Sequence, residues 1–118
     1  MAKETIPGME LLPEGKYVFE VVGVPVKQSL SNGGFKRIWT LNGTDASGKT
    51  TKKKFYLFPG DYYPIVLAIG GVKNGKDVDW DDDEVEGRRF SCDLKIVKSK
   101  DGKYDNYKFE SCEEDIAF

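Results

Sequence analysis

The amino-acid sequence predicts a mainly β fold, a small five-stranded barrel with one short helix between its third and fourth strands. Three observations carry that expectation. Five runs rich in β-branched and aromatic residues are separated by clusters of Gly, Pro, Asn, Asp and Ser. Helix start and stop signals flank a single segment, between the third and fourth runs. At 118 residues the chain can build one hydrophobic core and is too short for two ordinary domains.

Residues 1–15 carry turn signals at Pro7-Gly8 and Pro13-Glu14-Gly15 and read as an arm leading into the fold. The first strand spans residues 16–27, where Gly23 and Pro25 predict a bulge or a sharp bend. A polar loop over residues 28–34 leads to the second strand, Phe35 to Leu41. Asn42-Gly43 through Ser47-Gly48 reads as a turn, and Thr50 to Phe58 as the third strand, so the first three strands form a meander. Asp61 is placed to cap a helix of two or three turns that ends at Gly70-Gly71, with Pro64 in its first turn. Residues 72–86 read as a charged connection. Gly87 opens the fourth strand, in which Phe90, Cys92, Leu94 and Ile96 share one face. Asp101-Gly102 is a hairpin signal leading into a fifth strand over residues 103–110.

Composition narrows the function classes. No stretch reaches the roughly 20 consecutive apolar residues of a membrane helix, and the first residues lack the apolar run of a signal peptide, so a cytoplasmic protein is expected. Cys92 and Cys112 are too few for a disulfide framework. In the predicted hairpin they fall nearly opposite each other, and in a reducing compartment they are expected as free thiols. The chain has no histidine, which removes the commonest catalytic base and the commonest zinc ligand together. With no paired nucleophile and base either, the chain reads as a binding protein without cofactor or metal, not an enzyme.

The formal net charge of −2 conceals an asymmetry. Residues 1–58 hold nine Lys/Arg against five Asp/Glu, whereas residues 59–118 hold nine against fifteen. A locally basic surface is what phosphate contacts require. The order βββ-α-ββ is that of the OB-fold, which binds oligonucleotides or oligosaccharides across its second and third strands and the adjoining loops. Those strands carry Phe35, Lys36, Arg37 and Trp39 on one, and Lys52, Lys53, Lys54, Phe55 and Tyr56 on the next. Single-stranded nucleic acid is held by cations that track phosphates and by flat side chains on which bases stack.

Strand alternation sends Phe55 and Leu57 to the core and turns Lys52, Lys54 and Tyr56 outward. The face of Trp39 stays open, since Leu41 beside it argues for core and Arg37 for solvent. Lys100, Lys103, Tyr104 and Tyr107, around the last hairpin, extend the expected groove. Residues 77–86 pack seven carboxylates into ten positions but lack the glycine and final glutamate of an EF-hand loop. They read as a solvated acidic loop or as a segment that competes with DNA for the basic groove, with Trp80 capping the barrel.

The last six residues, Glu113-Glu114-Asp115-Ile116-Ala117-Phe118, resemble the C-terminal tip of bacterial single-stranded DNA-binding proteins. Ala117 stands where that pattern has proline, and the long linker that precedes the tip is absent. The resemblance implies a binding domain over residues 1–112 and a tip over 113–118 that docks replication or repair proteins through Asp115, Ile116 and Phe118. A tail folded back onto the barrel, or lying in its own groove, is the alternative. Across about residues 12–110 the chain also resembles phage-encoded single-stranded DNA-binding proteins of OB-fold type. That resemblance rests on Leu12-Pro13-Glu14-Gly15-Lys16-Tyr17, on Gly87-Arg88-Arg89-Phe90 and on the element order. It implies sequence-tolerant binding of single-stranded DNA in phage replication or recombination, in the host cytoplasm. The alternative is a structural or adaptor barrel, a virion or assembly component or a homo-oligomer, whose aromatics form a protein interface.

Overall fold

The computed structural model describes residues 12–31, 33–98, 102 and 105–115. The chain is mainly β, with strands β1 (Gly15–Val21), β2 (Val26–Ser29), β3 (Phe35–Asp45) and β4 (Thr50–Leu57) preceding the helix α1 (Pro59–Ile69). After it come β5 (Val72–Asn74), β6 (Asp77–Asp79), β7 (Arg89–Lys98) and β8 (Asp105–Glu114). The expected five-stranded barrel is corrected on two counts. The described residues form eight strands, and the main sheet is open, in the order β2-β3-β1-β7-β8 with β4 on β3.

Both corrections have local causes. β1 and β2 pair with successive stretches of β3, Val21 opposite Leu41 and Val26 opposite Ile38, so they are two halves of one bent course. The break falls at Gly23, whose φ of 75° suits glycine, and at Pro25, which has no N–H to give to a ladder. Val22 N still reaches Thr40 O at 2.8 Å, which keeps the two halves on the same neighbour. On the far side β4 and β8 share no ladder; aromatic edges cross the gap, with Phe55 at 5.2 Å from Tyr107 and 5.4 Å from Phe109 between ring centroids.

The core lies inside this curved sheet. Phe19, Phe90 and Phe109 are fully buried and meet at centroid distances of 5.6–6.2 Å, in tilted and edge-on geometries. α1 closes one end with Tyr62, Ile65, Val66 and Ile69. The helix begins earlier than expected, with Pro59 in its first turn, so Asp61 sits at its third position. There its carboxylate accepts from Phe58 N at 3.1 Å. Pro64 lies within the helix, past the first turn. Gly70 stops it as expected, and Gly71 N donates to Val66 O at 2.7 Å.

Three further boundaries differ from the sequence reading. Asn42-Gly43 is strand, because Phe19 lies opposite Gly43 and its ring covers the glycine; a Cβ there would meet that ring at 2.5 Å. The turn comes later, where Asp45 Oδ1 accepts from Ser47 N, Lys49 N and Ser47 Oγ at 3.0, 2.9 and 2.6 Å. Residues 72–86 contain the β5–β6 hairpin, turned at Gly75 with φ 65°. β8 runs past the expected strand end at residue 110, since Glu113 and Glu114 pair with Ser91 and Phe90. Among the described residues, no helix is long and apolar enough to cross a membrane.

Candidate nucleic-acid interface

Strand alternation divides the expected binding residues between two faces of the sheet. Trp39 and Leu41 are buried, which fixes the inner face of β3 and puts Phe35 and Arg37 on the same side. Lys36, Ile38, Thr40 and Asn42 therefore face outward. The register sets Tyr56, Lys54 and Lys52 opposite Ile38, Thr40 and Asn42, so they share that outer face. Lys52 and Lys54 are exposed, and the Tyr56 ring is 55% exposed. Lys36 Nζ lies 5.3 Å from its centroid, close enough for a cation–π contact. Val26 of β2, opposite Ile38, completes an apolar row across three strands. From Lys52 to Tyr56 the face runs about 13 Å along the strand. The sequence reading missed Val26 and Ile38, whose place in this row depends on pairing register and not on residue type.

The inner-face residues are committed within the protein. Trp39 is 0% exposed, stacked on Trp80 at 5.7 Å and 15° and packed at 5.6 Å against Tyr62. As placed, it offers no ring face to a base, so the expected stacking role is corrected to core; Leu41, not Arg37, indicates its side. Trp80, expected to cap a barrel, packs partly buried against Trp39 and Tyr62. The Arg37 side chain is 14% exposed, and its Nη1 donates to Asp82 Oδ2 at 2.8 Å. Its guanidinium carbon lies 4.8 Å from the Trp80 ring and 6.0 Å from that of Phe35. The buried Nε atoms of Arg37 and Trp39 (Nε1) have no hydrogen-bond partner. Phe35 is half-buried, with Lys27 Nζ 4.3 Å from its centroid.

Lys53 is separated from its two neighbours by the same alternation. Its Nζ sits 5.9 Å from both the Phe55 and Tyr107 rings, at the seam between β4 and β8. Tyr107 is partly buried, and its hydroxyl accepts from Leu12 N at 2.6 Å, so it tethers the start of the fold instead of lining an open groove. Lys100, Lys103 and Tyr104 lie outside the described residues, as do Ile116 and Phe118. Asp115 is drawn back onto β7: its N donates to Arg89 O at 2.9 Å and its carboxylate lies 3.4 Å from the Arg89 guanidinium.

The acidic loop is also internally engaged. Oxygens of Asp81, Asp82 and Asp83 lie within 4.8 Å of one another, but Asp82 pairs with Arg37 and Asp81 Oδ1 accepts from Asp83 N at 2.9 Å. A groove of about 420 Å³ lies elsewhere, on β1, β7 and the end of β3, and borders the irregular part of β8. No protein-family model matches the chain, and no curated protein matches it.

Proposed function

We propose that this chain is a sequence-tolerant single-stranded DNA-binding protein. The observation that carries the reading is the outer face of β3 and β4, where an exposed Tyr56 ring is flanked by Lys36, Lys52 and Lys54 beside the apolar Ile38 and Val26. A base stacks on Tyr56 while the lysines neutralise neighbouring phosphates. The strand course supports the same reading. With β1 and β2 taken as one bent strand, the sheet order β4-β3-β1-β7-β8 and the helix after β4 match an opened OB-type arrangement. Phe35 and Arg37 lie on the opposite face of β3 and offer a separate contact once Asp82 is displaced. A role in phage DNA replication or recombination, and partner docking through the C-terminal residues, follow from the sequence resemblance.

The test is fluorescence anisotropy of labelled oligo(dT) at low salt. Saturable binding is expected, with log affinity falling linearly against log salt at a slope of about −2 for three phosphate contacts. Absence of binding, while a basic control protein binds the same oligonucleotide, overturns the reading.

A further inference from the structure

The ladder between β7 and β8 is interrupted at one place. Ser91 pairs with Glu113 and Asp93 with Glu110, which leaves Cys92 facing both Ser111 and Cys112. Ser111 absorbs the extra residue with φ 53°, unusual for a residue with a side chain. Cys92 is buried, and Cys112, half-buried, packs against the same core. A bulge turns both of its residues toward the one across the ladder, and that places Cys112 beside Cys92, the neighbourhood a disulfide needs. Both cysteines are free thiols here.

We propose that Cys92 and Cys112 are a dithiol modification site, closed to an intramolecular disulfide by exchange with a small-molecule disulfide such as oxidised glutathione. The order of events follows from the pair's asymmetry. Interaction with the Cys112 sulfur, together with burial, pushes the Cys92 thiol up, and the same interaction holds Cys112 below the usual thiol range. Cys112 is also the more accessible of the two. Its thiolate attacks one sulfur of the oxidant and expels one thiolate, leaving a mixed disulfide. Cys92 then gives up its proton and attacks the Cys112 sulfur, expelling the second thiolate. Two protein thiols lose two electrons, and the oxidant leaves as two thiols. The bond fixes the β7–β8 register at its one irregularity and anchors the end of β8.

The experiment incubates the full chain, folded, with oxidised glutathione at mildly alkaline pH, followed by intact mass, thiol titration after unfolding, and a melt. Expected are the loss of both thiols, a monomer lighter by two hydrogens, a melting temperature higher by roughly 10 °C, and reversal by a dithiol reductant. Cys92→Ala should stop at a glutathione adduct on Cys112, and Cys112→Ser should stay unmodified over the same time. A wild-type chain that retains both thiols, stops at the adduct or links only between chains overturns the proposal. If Cys92→Ala does not fold, the wild-type mass and melt decide alone.

Discussion

The guanidinium of Arg37 holds the carboxylate of Asp82 at 2.8 Å, tying the inner face of β3 to the acidic loop that follows β6. In the proposed function this pair matters because a carboxylate occupies the position a phosphate oxygen would take. Asp82→Ala should free Arg37 for DNA. An added contact of about 1 kcal/mol corresponds to roughly fivefold tighter oligo(dT) binding, with the salt dependence steeper by about one contact. Because Arg37 is mostly buried and loses its partner, the substitution should also cost about 1–3 kcal/mol of stability. Unchanged affinity in the folded variant would make Asp82 purely structural.

Tyr56 and Trp39 provide an internal contrast. Tyr56→Ala should weaken oligo(dT) binding by about 1–3 kcal/mol and shift stability by only about 0.5 kcal/mol. Trp39→Ala should cost about 3–5 kcal/mol of stability, because it empties a fully enclosed site. Anisotropy and urea melts on the two variants separate these roles. Equal binding by Tyr56→Ala would count against the outer face.

The double substitution Lys52→Glu, Lys54→Glu should weaken binding strongly and lower the salt slope by about two contacts. Lys53→Glu, at the seam, should have the smaller effect although it sits between them in sequence. A salt titration of the two variants gives the comparison. A uniform effect of all three lysines would instead indicate nonspecific charge.

Asp45 orders its turn through three hydrogen bonds, led by that from the Ser47 hydroxyl, and these hold its carboxyl below the usual value of 3.8. A depressed carboxyl contributes stability that is complete above its unfolded pKa and is lost as pH falls through the folded one. Asp45→Asn should therefore melt below wild type at neutral pH, and the difference should shrink as pH falls below about 4. Melts across that range check the sign.

Gly43→Ala should cost about 1–3 kcal/mol, since the new methyl group meets the Phe19 ring. A chemical melt measures it, and Phe19→Leu in the same background should recover part of the loss by making room.

Much of the fold was legible where alternation is strict. In β7, Phe90, Cys92 and Leu94 repeat every second residue and are buried as the pattern requires. In β4, Phe55 and Leu57 went inward and Lys52, Lys54 and Tyr56 outward, as read. Trp39 was ambiguous because Arg37, a charged residue, lies on the inner face, and the Asp82 that accounts for it is 45 residues away. Gly43 looked like a turn because the sequence cannot show that Phe19 lies across it. The β5–β6 hairpin had a signal, Asn74-Gly75, hidden in a run dominated by charge. Whether a sheet closes depends on how much each strand coils, which residue type does not encode; the open seam was therefore out of reach.

That seam has a consequence for how the protein moves and associates. Backbone amides of β4 directed toward β8 have no ladder to hold them, whereas those directed toward β3 do. Deuterium uptake should therefore alternate along β4, fast at one residue and slow at the next. An unladdered strand also invites the edge of a second molecule, and three successive cations at Lys52, Lys53 and Lys54 discourage that through mutual repulsion. The same lysines proposed to contact DNA thus discourage neighbouring copies from stacking into a continuous sheet.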